Sequence, residues 1–240
     1  MTASSGEIPV NIPAFDRRWL MPGYWSIWLG FGLLRVLTYM PMAWRHQLAS
    51  GVALIAYRWN AKRRTVVLAN LALAFPALSE TVREQMARDH FKAMARSFLD
   101  MGLVWFAPDK WLKRCVRVEG GHYLHSAKAA GKQVVYHVAH AAGLEFGAIA
   151  IGSELAPADG YYHPFKNPLL DWRMARARHR FGNRIFPRET GQRKIMSTIR
   201  SGRALYSLSD EDHGLDASVV APFFAHPKAT LTTDARLALA

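Results

Sequence analysis

Residues 133–147 read QVVYHVAHAAGLEFG. The first half is apolar and β-branched, as a strand buried on both faces requires. Ala141, Ala142 and Gly143 interrupt it, and LEFGAIAIG then resumes as a helix. A buried strand leading through a small-residue turn into a helix is the repeating unit of an α/β fold. His140 stands at the strand's exit, and Glu145 follows it at H-x4-E spacing. On one continuous helix, five residues at about 100° each would leave the two side chains about 140° apart. With His140 on the turn instead, its ring can fold over the first helical turn. Glu145 would then accept the Nδ1 proton and leave Nε2 as a general base. A lone His near a Glu is more often structural than catalytic, so the spacing alone decides little. His137 offers a metal-binding alternative, but strand positions three apart point to opposite faces, which speaks against a shared ion.

The same alternation continues downstream. LAPADGYYHP reads as strand and loop, NPLLDWRMARARHRFG as a basic helix, NRIFP as a short strand and GQRKIMSTIRSG as a helix. RALYSLSDED and SVVAPFFA read as strands, and ATLTTDARLALA as a closing helix. Upstream, CVRVEG alternates like a strand. Residues 46–106 are helical, with Ser79 and Glu80 opening a long amphipathic helix. The pattern predicts an α/β fold with a mixed, largely parallel central sheet flanked by helices. It divides the chain into a tail and anchor (1–45) and one domain (46–240), helical over 46–114 and α/β over 115–240.

The stretch from Trp19 to Ala43 is almost wholly apolar, with Arg35 as its one charge. Arg17, Arg18 and Arg45 flank it, and Trp19, Tyr24, Trp25, Trp28 and Tyr39 lie within it. Length, aromatic residues and basic flanks predict an N-terminal membrane-anchoring helix, although Pro22-Gly23 and Met40-Pro41 shorten it. The alternative is a helix of a soluble core. The net charge of +13 calls for an anionic partner. Half of the residues are hydrophobic, and no RNP, zinc-finger or homeodomain pattern occurs, so nucleic acid is not favoured. The single cysteine, Cys115, excludes an internal disulfide and a cysteine-based zinc site, and reads as a partly buried packing residue.

Residues 166–203 hold eleven Lys and Arg against Asp171 and Glu189, and include Arg193 and Lys194. Arg173, Arg176 and Arg180 share one helical face. Such a block is either a solvated face or a surface for phosphates. Asp210, Glu211 and Asp212 follow ALYSLS as a turn that is more often structural than metal-binding. Phe223 and Phe224 suit either a core or an acyl groove.

Three ordered blocks carry a resemblance. VEGGHYLHSAKAAGKQVVYHVAHAAGLEFG, YYHPFKNPLLDWRMARARHRFG and SDEDHGLDASVVAPFFAHPKATLTT resemble the late acyltransferases of lipid A biosynthesis, the Kdo2-lipid IVA lauroyl- and myristoyltransferases of the glycerolipid acyltransferase superfamily. The resemblance implies an acyl carrier protein thioester as donor, a lipid A precursor as acceptor, and no metal or organic cofactor. It implies that His140 is the base and Glu145 its partner, and that the protein works at the cytoplasmic side of a bacterial inner membrane. It assigns Arg176, Arg178, His163, Asp210 and Asp212 to substrate binding. His163 stands where the family usually has arginine, Glu211 where it commonly has glutamine, and the family continues beyond residue 240. A lysophospholipid acyltransferase, or a non-catalytic peripheral membrane protein of this fold, is the alternative.

Overall fold

The described residues of the computed structural model are 12–190, 197–212, 214–216 and 218–239. Most of the expected N-terminal tail, the start of the helix expected over 191–202 with Arg193 and Lys194, and Ala240 lie outside them.

Local chemistry sets the N-terminal helices. The Asp16 carboxylate accepts from the Arg18 N–H at 2.9 Å and opens a 3-10 turn, Arg17–Leu20. A second 3-10 turn, Pro22–Tyr24, leads into α1, Trp25–Leu37. Pro41 then starts α2, Met42–Trp59; the Asn60 side chain caps α3, Ala61–Ala74; and Ser79 Oγ, accepting from Val82 N at 3.3 Å, caps α4, Glu80–Phe106. At 1.5 Å per residue α1 is about 20 Å long, against a hydrocarbon core of about 30 Å. Among the described residues no helix is long and apolar enough to cross a membrane. The spanning anchor expected over 19–43 is therefore not formed, because its two proline sites divide it.

α1 and α2 lie end to end along α4, antiparallel to it. The Leu34 carbonyl of α1 presses so closely on Gly102 that a Cβ there would collide with it, and Phe31 meets Trp105 edge-on at 5.2 Å. Along α2, Arg45 Nε reaches Asp100 at 3.1 Å, and Tyr57 meets Phe91 edge-on at 5.3 Å. Arg45 is buried and also donates to the Met40 carbonyl at 2.8 Å, which fixes the bend between the two helices.

Two further helices, α5 (Asp109–Cys115) and α6 (Gly121–Ala129), lead to the sheet. Its strands are β1 (Val135–His137), β2 (Ala158–Tyr162), β3 (Arg184–Pro187) and β4 (Ala204–Ser207), in the order β1-β4-β2-β3, all parallel. Parallel pairing needs crossovers. They are α7 (Leu144–Ala150) with a π-helical extension, Ile151–Leu155, then α8 (Pro168–Arg178), then the helical residues 197–200. The central sheet, expected to be mixed and largely parallel, is parallel throughout among the described residues. Its interior is tied by Asp159, which is fully buried and accepts from Arg184 Nε at 2.8 Å, Arg203 Nε at 2.7 Å and Thr198 Oγ1 at 2.8 Å. Burial pushes this carboxyl up, but those donors outweigh it and hold it below the usual carboxylate range. Part of the basic block is thus spent inside the fold.

Four local expectations fail. Residues 116–118 form no strand after α5. Cys115 is exposed rather than partly buried. Residues 226–231 form β6, the antiparallel partner of β5 (Ser218–Phe223), and only Thr233–Leu239 is helical, as α9. The hairpin turn was illegible because its two central residues, Phe224 and Ala225, have φ of 48° and 63° without a glycine. Finally, Phe223 and Phe224 are both exposed; their rings meet edge-on, and Phe224 packs on Phe75 beyond the end of α3, neither in the core nor in the cleft described below.

Candidate active site

In a parallel α/β sheet the carboxyl ends of the strands leave a crevice that is the usual place for ligands. Here that crevice is a cleft of about 540 Å³, bordered by His140 after β1, Tyr162 at the end of β2, Ser207 at the end of β4, and Glu145 and Arg178 on flanking helices. Leu144, Ile151, Leu205 and Leu237 supply apolar lining.

His140 lies on the turn, as the sequence suggested, but its partner is not Glu145. Its Nδ1 is 2.6 Å from Asp210 Oδ1, and its backbone N–H donates to Asp210 Oδ2 at 2.8 Å. The carboxylate thus fixes both the ring and the main chain of one residue. Nε2 is 3.7 Å from Glu211 Oε1, beyond hydrogen-bond distance. Burial pushes the Asp210 carboxyl up, but the His140 N–H and ring outweigh it, so it titrates below the ordinary range.

Glu145 is held from elsewhere. Arg178 grips it in a fork, Nε at 3.1 Å from both oxygens and Nη2 at 2.5 Å from Oε1. The pair sits on the cleft wall, with the Arg178 guanidinium 5.7 Å from the centre of the Tyr162 ring. The imidazole Nδ1 that Glu145 was expected to hold is held by Asp210. Glu145 instead ties the first turn of α7 to α8. The turn between His140 and α7 is tied by Gly143, whose φ is 84° and whose N–H donates to Ser97 Oγ of α4 at 3.0 Å. Burial and the Asp171 carboxylate push the Tyr162 phenol up to about 12; burial and Glu145 do the same for Tyr206.

The other residues singled out in the sequence fall in different places. His163 is on the cleft rim, mostly exposed, 3.8 Å from Glu189. Arg178 borders the cleft and is paired with Glu145. Arg176 is exposed above the Trp172 ring, and Asp212 accepts from the Gly214 N–H at 2.9 Å in an exposed turn; neither borders the cleft. Asp210 was singled out for substrate, yet it holds the imidazole.

A second histidine–aspartate pair was missed altogether. His137 Nδ1 is 2.7 Å from Asp234 Oδ2. Asp234 is buried and accepts from Ser207 Oγ at 2.6 Å and Ser209 Oγ at 2.5 Å. Ser209 Oγ also lies 3.0 Å from His137 Nδ1. Asp234 follows a threonine run that had been read as helix, so nothing in its local pattern pointed across 97 residues to His137. Among the described residues no group of three or more His, Cys, Asp or Glu side chains could hold a metal ion.

Comparison with known proteins places this geometry. A profile of the family described as bacterial lipid A biosynthesis acyltransferase matches residues 12–240. A lipid A biosynthesis acyltransferase of Haemophilus influenzae is 32% identical over 217 residues, 90% of this chain and 68% of its own length. The lipid A biosynthesis lauroyltransferase of Escherichia coli K12 is 30% identical over 93% of this chain and 72% of its own length. The myristoyltransferase of the same organism is 30% identical over 94% and 70%. A cleft at the carboxyl ends of a parallel sheet, an oriented imidazole at its mouth and a match along nearly the whole chain lead to one assignment: the chain belongs to the bacterial lipid A biosynthesis acyltransferase family.

Proposed function

We propose that this chain moves a fatty acyl group from an acyl carrier protein thioester to a hydroxyl of a lipid A precursor, with His140 as general base. The single observation that carries this reading is the Asp210 carboxylate on His140 Nδ1 at the mouth of the cleft. A carboxylate on Nδ1 fixes the tautomer in which Nε2 is the acceptor, and stabilises the imidazolium that forms. Nε2 takes the proton of the acceptor hydroxyl as its oxygen attacks the thioester carbonyl. The new C–O bond forms, the C–S bond breaks, and the imidazolium returns the proton to the departing sulfur. The apolar part of the lining suits an acyl chain, and the positive net charge suits an acidic carrier. The chemistry needs no metal or organic cofactor.

The same reading places the protein on the cytoplasmic face of a bacterial inner membrane. On α1, Trp25, Leu29, Leu33 and Val36 are exposed; on α2, Trp44, Leu48, Val52, Ile55 and Trp59 are exposed. At about 100° per residue each set falls within an arc of roughly 80°. Both helices pack on one side of α4, so both stripes face away from it. An apolar stripe on a helix too short to span, with cations nearby, suits a helix lying in the interface plane. This in-plane seat replaces the spanning anchor.

The test is acyl transfer by the full chain, with acyl carrier protein thioester as donor and either a lipid A precursor or a lysophospholipid as acceptor. Transfer to the first and its loss in His140→Ala, with vesicle binding unchanged, is the expected result. Transfer to the lysophospholipid alone replaces the acceptor. Full turnover by His140→Ala ends the mechanism.

A further inference from the structure

Among the described residues, a cluster of cations at the junction of α1, α4 and α8 has no carboxylate partner. Arg173 of α8 lies with its guanidinium carbon 4.3 Å from the centre of the Phe106 ring, and Arg35 of α1 faces the same ring at 5.7 Å. One turn further along α8, Arg176 lies over Trp172 at 5.3 Å. Among the described residues no carboxylate pairs with any of the three. Their neighbours differ: Arg178 has Glu145, Arg180 has Asp109, and Arg184 and Arg203 share Asp159.

Donors also outnumber acceptors there. Arg173 Nη2 donates to the Trp105 carbonyl, but Arg173 Nε and the adjacent Trp172 Nε1 are buried without an acceptor among the described residues. Burial and the fields of Arg176, Arg180 and Arg35 pull the Arg173 guanidinium down to about 10. A half-buried cation among like charges is costly unless an anion joins it. The cluster borders the apolar stripe of α1: ten residues at about 100° put Arg35 roughly 80° around the helix from Trp25. Phe15, Trp19, Trp28 and Trp172 form an aromatic group against it, the residue type favoured at a membrane interface.

We propose that Arg35, Arg173 and Arg176 form a seat for the phosphate of an anionic phospholipid in the bilayer surface on which α1 rests. The phosphate supplies the missing negative charge and accepts from the exposed guanidiniums of Arg35 and Arg176, while acyl chains lie along the outer face of α1. This site is separate from the cleft, and it rests on the in-plane seating proposed above.

The test is equilibrium binding of the full chain to vesicles of pure phosphatidylcholine and to vesicles that also contain phosphatidylglycerol. Arg35 and Arg176 are exposed, so R35Q/R176Q should retain the fold, and far-ultraviolet circular dichroism checks this. At about one cation's worth of surface attraction per arginine, the wild-type preference for the anionic vesicle should fall roughly tenfold to thirtyfold, with binding to phosphatidylcholine unchanged. K128Q/K132Q, two exposed lysines outside the cluster, should keep the preference. An unchanged preference in R35Q/R176Q, or an equal loss in the lysine control, overturns the seat. Inorganic phosphate that releases wild-type protein from the anionic vesicles at constant ionic strength overturns the lipid assignment in favour of free phosphate. If the wild type binds neither vesicle, the in-plane seating itself fails, which is a different outcome from loss of preference alone.

Discussion

Two histidine–aspartate pairs lie three residues apart at the end of the same strand, with nearly equal contacts of 2.6 Å and 2.7 Å to Nδ1. Judged by that contact alone they are the same device. Their surroundings separate them. Asp210 is partly exposed and spends its second oxygen on the backbone of the histidine it holds, and His140 borders the cleft. Asp234 is buried and spends its oxygens on Ser207 and Ser209, so it ties β1, β4 and α9 together, and His137 does not border the cleft. A dyad is defined less by its hydrogen bond than by what the carboxylate's other lone pairs hold.

The sharpest way to break this comparison is to remove each imidazole in turn. Loss of a positioned general base costs about 10²–10⁴-fold in rate. His140→Ala should lose acyl transfer by that factor with its melting temperature kept. His137→Ala should keep kcat within a few-fold. Equal losses of kcat in the two variants would erase the distinction.

The carboxylates sharpen it. Asp210→Asn should lower kcat and shift the pH–rate profile, because the amide no longer stabilises the imidazolium. Glu145→Gln should leave the shape of that profile unchanged. Its cost should appear as stability, about 3 kcal/mol by denaturant unfolding, since the largely buried Arg178 loses its partner. A Glu145→Gln profile displaced like that of Asp210→Asn would return Glu145 to the imidazole. Asp234→Asn should likewise cost stability rather than turnover, about 1–3 kcal/mol for the hydroxyl donors left poorly satisfied.

Much of the fold was legible because its signals are local. The β-branched run QVVYHVAH forms a strand and Ser79 caps a helix, whatever else the chain does. That strand, Val135–His137, is a half-buried edge strand rather than one buried on both faces. The span was illegible because a 25-residue apolar stretch resembles one, while Pro22 and Pro41 bound a helix too short to cross a membrane. The site was half legible. His140 stood out by its place at a strand exit, but its partner lies 70 residues away. The spacing H-x4-E pointed to Glu145 instead, which Arg178 had already claimed from α8. The same holds for the basic block. Composition counts charges, but only the tertiary pairing tells that Arg184 and Arg203 share the Asp159 carboxylate while Arg173 has no carboxylate among the described residues.

The smallest effect, and the finest test of the comparison, is the acid limb of stability. Burial pushes the Asp234 carboxyl up, but Ser207, Ser209 and His137 outweigh it, so its net pKa is lowered, as is that of Asp210. For a carboxyl lowered on folding, the unfolded chain binds the proton first. Each group's stabilisation is therefore complete above the unfolded value, about 3.9 for aspartate, and is lost as pH falls through the folded value. Asp234, being the more buried and tying three elements, should account for more of that loss than the partly exposed Asp210. Urea unfolding midpoints followed from neutral pH down past the carboxylate range should show a shallower acid limb for Asp234→Asn than for wild type, with Asp210→Asn close to wild type. The reverse order would make Asp210 the structural tie and Asp234 the expendable one, which would invert the roles assigned to the two pairs.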